Sequence, residues 1–258
     1  MLCPATIIVG MVVLLSRESR AMRVSMSFLD RLFSRISAEA PPPPPRKTTP
    51  STPSRASLFP EQYPAVKDRA AVPVRGDTSD VAAIRPFLAA TQLELRPLQL
   101  AYRASRDGWR ARDFHGKCDG RGAAVVVAKA AGKTFGAYNP KGWAGLGENR
   151  PSIAAFLFTG EGPLIKLRKL GGGGLAVCKD DLNDGIYFGP DALVIPLDGS
   201  KSARSRLGAY YECLPDGSKS LFGSSSEVLL SDLLVYVGKY EPDETIPYAG
   251  GVFDMTSG

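Results

Sequence analysis

The sequence predicts an α+β fold, a mainly antiparallel β-sandwich with a few peripheral helices, preceded by a disordered leader. Three observations carry this. From GAAVVVAK onward the chain is a succession of short β-branched or aromatic runs, including KTFGAY, SIAAFLFT, PLIKLRKL, LAVCK, ALVIPL, GAYYECL and VLLSDLLVYV. Turn pairs separate them: Asp119-Gly120, Asp184-Gly185, Asp198-Gly199 and Asp216-Gly217. The first 77 residues, by contrast, are rich in Pro, Ser and Arg.

The apolar run Ala5–Leu15 is too short to span a bilayer. Arg17, Arg20 and Arg23 follow it, the reverse of the charge order of a secretory signal. In the next segment Phe28, Leu29, Leu32, Phe33 and Ile36 recur at helical spacing, which predicts an amphipathic helix near 26–38. Such a helix suits import or contact with a membrane surface, and equally a short docking helix. Pro41–Pro45 and the Ser/Thr/Pro stretch after it read as an extended linker. Residues 1–77 are thus expected to be leader and linker, and 78–258 the folded domain.

Thr78 or Ser79 caps a first helix through Phe87 and Leu88, and Pro86 should shorten or kink it. Tyr102 and Ala104 alternate on a strand ending at the Arg106-Asp107-Gly108 turn. Trp109 to His115 then makes one or two helical turns that bring Trp109 and Phe114 near the core. Phe156 and Phe158 share one face of their strand, with Leu157 opposite. Gly136 and Gly189 mark close backbone approach or a special turn.

The chain carries 32 Lys/Arg and 26 Asp/Glu. Eleven and five of these precede Gly76, leaving 21 of each. The domain is therefore neutral, which argues against nucleic-acid binding by it and puts the basic excess in the leader. The four cysteines are scattered without a C-x-x-C pair, as expected of reduced intracellular thiols rather than a zinc site or a disulfide scaffold.

Motifs for chemistry fail one by one. Ala131-Gly132-Lys133-Thr134 has Val127 where a phosphate loop needs glycine, and it continues as strand, so it reads as a hairpin turn. Gly171–Gly174 has no basic or hydroxyl residue after it at nucleotide-binding spacing and reads as a hairpin tip. KDDLNDG lacks the order of a calcium loop and reads as a turn before a strand. His115, the only histidine, lies three residues from Cys118. That pair is the one candidate for thiol-dependent redox or hydrolytic chemistry, and it has no evident orienting partner. His115 and Ser105 are expected to hydrogen-bond backbone instead.

Taken in order, LAYRASRDGW, DFHGKCDGRG, AVVVAK, GKTFGAYNPKGW, SIAAFLF and YFGPDALVI resemble the TLDc domain of the oxidation-resistance proteins, and the plant-type members with a single such domain, from about Thr78 to about Tyr240. The resemblance implies two antiparallel sheets, no established catalytic centre and no cofactor or metal. Its signature positions here are Tyr102, Ser105, Asp107, Gly108, Trp109, Phe114, His115, Gly136, Trp143, Phe156, Phe158, Phe188 and Gly189. It further implies a protein partner, with vacuolar proton-pumping ATPase subunits as the named expectation, and a part in oxidative-stress protection. A cytoplasmic location is expected, or a plastid or mitochondrion if the basic leader directs import. One departure bears on the partner: Leu233-Leu234 stand where the family's last strand often carries an acidic residue.

Overall fold

The computed structural model describes Tyr63 and residues 73–172 and 174–250. The expected leader and its helix near 26–38 lie outside the described residues. Twelve strands form two six-stranded antiparallel sheets. They are β1 (Leu98–Arg103), β2 (Ala124–Ala130), β3 (Lys133–Asn139), β4 (Leu146–Arg150), β5 (Phe156–Gly160), β6 (Ile165–Arg168), β7 (Val177–Asp181), β8 (Ile186–Phe188), β9 (Leu193–Ile195), β10 (Ser202–Arg204), β11 (Glu227–Leu229) and β12 (Asp232–Gly238). The first sheet runs β1-β12-β2-β3-β5-β6, the second β11-β10-β9-β8-β7-β4. Among the described residues three short α-helices accompany them: α1 (Ser79–Ile84), α2 (Ala104–Asp107) and α3 (Ala111–Cys118).

The β2–β3 hairpin follows directly from its residues. Ala130 pairs with Lys133, so Ala131 and Gly132 form a two-residue turn with φ of 47° and 81°. Both central residues sit in the left-handed region, as a type I′ turn requires. Further along the hairpin, a Cβ at Gly136 would overlap the Val126 carbonyl and the Phe158 ring. Only glycine lets the two strands approach this closely under the Phe158 ring.

The first sheet is buried on both faces. Val126, Ala128, Ala137, Leu157, Leu233 and Val235 point into the core between the sheets. Val125, Val127, Tyr138, Phe156, Phe158, Leu234 and Tyr236 form a second core under the N-terminal segment. Thr78 caps α1 by accepting from the Val81 amide. Pro86 then tightens the chain into a turn of 3-10 helix, Arg85–Leu88, which sets Phe87 against the Phe156 and Phe158 rings. A buried arginine holds this layer: Arg85 donates Nε and Nη2 to Asp77 (2.8 and 2.5 Å) and Nη1 to the carbonyls of Leu93 and Arg96 (2.6 and 3.1 Å). The guanidinium keeps the Asp77 carboxyl below its ordinary pKa. From below, Lys166 Nζ donates to the Phe87 carbonyl at 2.7 Å.

Several expectations are corrected. Ala104 opens helix α2 instead of continuing β1, because the Asp107 carboxylate folds back to accept from the Arg103 amide at 2.8 Å. GAYYECL forms no strand, only an isolated bridge between Tyr211 and Lys169. The glycine run after β6 is no hairpin tip: β6 pairs with β5 and β7 with β4 and β8, so Gly171, Gly172 and Gly174 lie on a crossover between sheets. VLLSDLLVYV is two strands in different sheets. The Leu230 amide donates to Lys201 and the next amide, Ser231, to Lys129, so the chain changes sheets within one residue.

Gly136→Val is expected to lower unfolding stability by about 3 kcal/mol or more in urea titration, since the overlap is with backbone. A loss below about 1 kcal/mol would show that the hairpin has slack the packing does not suggest.

Candidate functional site

The signature segment lies at one end of the sandwich. Tyr102 is buried on β1 and donates its hydroxyl to the Gly108 carbonyl at 2.6 Å, closing the turn through α2. Gly108 has φ of 112°, and a Cβ there would strike the Asp113 carboxylate. Asp107 pairs with Arg106, which draws its carboxyl down to about 2. Ser105 is exposed, and its hydroxyl accepts from the Arg103 side chain at 3.0 Å rather than meeting backbone. Trp109 is half-buried with Lys201 Nζ 5.5 Å from its ring centroid.

Helix α3 turns Phe114, His115 and Cys118 inward. Phe114 meets Tyr102 and Trp143 edge-on at centroid distances of 5.6 and 5.0 Å, and Trp143 in turn meets Phe188 at 6.4 Å. This aromatic chain crosses from the first sheet's edge to the second sheet. Phe156 and Phe158 belong to the other core, beneath the N-terminal layer. Gly189, with φ of 61°, turns the chain between β8 and β9.

His115 does not stand alone. Its Nδ1 lies 2.7 Å from Asp119 Oδ1 and its Nε2 3.1 Å from the Asp184 carbonyl oxygen. A neutral imidazole has one N–H and would set its other lone pair against an oxygen. The imidazolium donates to both. Burial pushes the His115 pKa down, but Asp119, the Asp184 carbonyl and the charge of Asp180 outweigh it, and the net shift is upward from 6.5. Through these two bonds the ring clamps the end of α3 to the β7–β8 turn.

Asp180 anchors the neighbouring region. Its side chain is fully buried, accepts from Arg150 Nε at 2.7 Å, and also accepts the amides of Ala144 (2.9 Å) and Gly145 (3.1 Å). Burial raises its carboxyl pKa, while Arg150 and the two amides pull it back. Arg150 continues to the Lys141 carbonyl at 2.9 Å. A bulge at Lys179, φ 53°, breaks the strand alternation so that Asp180 points inward and Lys179 outward.

His115, Asp119 and Asp180 present ligand atoms within 4.8 Å of one another, the composition of a small cation site. Both ring nitrogens and both Asp180 oxygens already have hydrogen-bond partners, so a cation would have to displace a bound proton and break existing bonds. Cys118 sits on the same helix, fully buried, and burial drives its thiol pKa far above the ordinary range. The orienting partner of His115 is Asp119, one helical turn on; the i, i+4 spacing is the signal that reveals it. Asp180 and Arg150, thirty residues apart, leave no such trace in the sequence.

These features define a β-sandwich module whose reactive side chains are engaged in holding its own end together. Over residues 77–226, more than half of the chain, it matches the family model of the TLDc domain, and the chain belongs to that family. The matched span ends before β11 and β12, yet β12 lies between β1 and β2, so the structural domain runs on to Gly238. No curated protein matches the chain.

A histidine whose folded pKa exceeds 6.5 contributes stability that is complete below that value and is lost as pH rises through the folded pKa. The melting-temperature gap between the natural chain and His115→Gln is therefore expected to be widest near pH 6 and to narrow toward about pH 9. A gap that widens with pH would mean that His115 is buried neutral.

Proposed function

We propose that this chain is a non-catalytic TLDc interaction module that contributes to oxidative-stress protection through protein contacts, with subunits of the vacuolar proton-pumping ATPase as its partner and the cytoplasm as its place of action. The observation that carries the reading is the engagement of the signature segment's reactive groups. Both nitrogens of His115 are occupied, and Cys118 is buried with its thiol strongly protonated. A nucleophile needs a thiolate and access to substrate, and a general base needs a free lone pair. Neither is on offer at this end of the fold, which favours a surface over a reaction. Among the described residues no helix is long and apolar enough to cross a membrane.

The last strand bears on the partner. Leu233 and Leu234 both pack into cores, one on each side of the first sheet. Asp232 stands just before them, paired with Arg103 at 2.7 Å. An acidic group thus sits at the start of β12, one residue earlier than the family pattern suggests, where it is tied to β1. In this reading the pump would be met by another face.

Affinity capture from cells with the full tagged chain is expected to recover pump subunits, and Cys118→Ala is expected to keep both that recovery and survival under peroxide. Survival lost while capture persists would favour the thiol enzyme. Capture that fails only when residues 1–77 are deleted would favour an adaptor directed to an organelle by its leader.

A further inference from the structure

The outer face of the second sheet carries a depression of about 330 Å³. Its geometry follows from strand register. Tyr187 pairs with Val194, Val194 with Arg204, and Arg204 with Glu227, one continuous row across β8, β9, β10 and β11. Directly paired residues in an antiparallel sheet point to the same side. The intervening Ile186, Phe188, Leu193, Ile195 and Ala203 fill the core, so the row faces outward. Lys179 joins it from β7, because the bulge that turns Asp180 inward turns Lys179 out, with Nζ 4.7 Å from the Tyr187 ring centroid.

The charges along this row are arranged unevenly. Among the described residues neither Lys179 nor Arg204 has an ion-pair partner; Arg206, at the rim, reaches Asp191 only at 3.7 Å. Between these two cations lie the Tyr187 ring and the buried side chain of Val194, while Arg204 has Glu227 opposite it on β11 and the charge of Asp198 nearby. Glu227 ends the row. Among the described residues the first sheet has no comparable open face, since the N-terminal layer covers it.

We propose that this face docks an extended acidic segment of a protein partner, with carboxylates at positions i and i+4 and an aromatic or apolar residue at i+2. The spacing supports it: β7 and β10 are three strands apart, about 14 Å at ~4.8 Å per strand, and four residues of extended chain span about 13 Å. The carboxylates then meet Lys179 and Arg204, and the central side chain lies on Tyr187 and Val194. Glu227, one strand further on, repels a third carboxylate and ends the acidic stretch. Asp191 does the same at the rim. The proposal rests on the reading of the chain as an interaction module and names the chemistry of what that module would hold. Exposed ion pairs are individually weak and screened, so the association depends on salt and on both cations acting together.

The test is fluorescence anisotropy of a labelled peptide, Glu-Ser-Phe-Ser-Glu flanked by Gly-Ser, titrated with the full 258-residue chain. Saturable binding is expected, weakened about tenfold or more by Lys179→Glu with Arg204→Glu. A permuted peptide with adjacent glutamates should bind more weakly, as should the original peptide at higher salt. Both substituted positions are exposed, but Arg204→Glu sets a carboxylate opposite Glu227 on β11, so the melting temperature of the variant is measured alongside. If it falls, Lys179→Gln with Arg204→Gln takes its place, with the same direction and a smaller factor. Absence of saturable binding, equal affinity for the charge-altered variant, or equal affinity for the permuted peptide each overturns the proposal. Pump capture that succeeds while the peptide fails would sink this docking face and leave the interaction module standing.

Discussion

A carboxylate with no access to solvent, Asp180, is the point on which one end of this sandwich depends. An isolated buried charge costs several kcal/mol, so the chain must bring donors to it. It does so with three donors from two places: Arg150 from the edge strand β4, and the Ala144 and Gly145 amides from the loop after Trp143. With that loop in place, Trp143 reaches Phe114 and Phe188, and the aromatic chain between the sheets closes. The bulge at Lys179 is the backbone's contribution, since without it Asp180 would face outward. His115 lies nearby, its pKa shifted upward in part by the Asp180 charge, and ties α3 to the β7–β8 turn. Together these side chains form a polar joint at this end of the sandwich.

The two sheets differ in what they leave open. Strands β2 and β12 are buried along nearly their whole length because the first sheet is covered twice. Arg85 and Lys166, both buried cations donating to backbone carbonyls, hold the outer cover in place. Among the described residues the second sheet is covered once and presents charged residues outward. Any surface role of the module therefore falls more naturally to the second sheet than to the first.

How much of this was legible follows from the range of each interaction. The β2–β3 hairpin could be read because VVVA, the Ala131-Gly132 turn and KTFGAY are adjacent and their register is local. Thr78 and Pro86 likewise act within a few residues, and the N-terminal helix starts and tightens where they dictate. Strand β10 was invisible, since three residues such as Ser202-Ala203-Arg204 carry no period, and β11 was read as one run with β12. The switch of sheets at Leu230-Ser231 has no glycine or proline to mark it, only a change in which carbonyl each amide finds. Asp180 read as part of a turn because its partners, Arg150 and the Trp143 loop, are distant in sequence. His115 was legible as a residue of interest, but its role depended on an oxygen sixty-nine positions away, the Asp184 carbonyl.

The most direct test of this account uses the fact that the chain has a single histidine. Long-range nitrogen–proton correlation spectra of uniformly labelled protein report the protonation of both ring nitrogens of His115 without ambiguity. A buried imidazolium donating to Asp119 and Asp184 predicts two protonated nitrogens at neutral pH, with deprotonation displaced upward from pH 6.5. A neutral ring at pH 7 that titrates freely near 6.5 would contradict it and return His115 to the list of candidate bases.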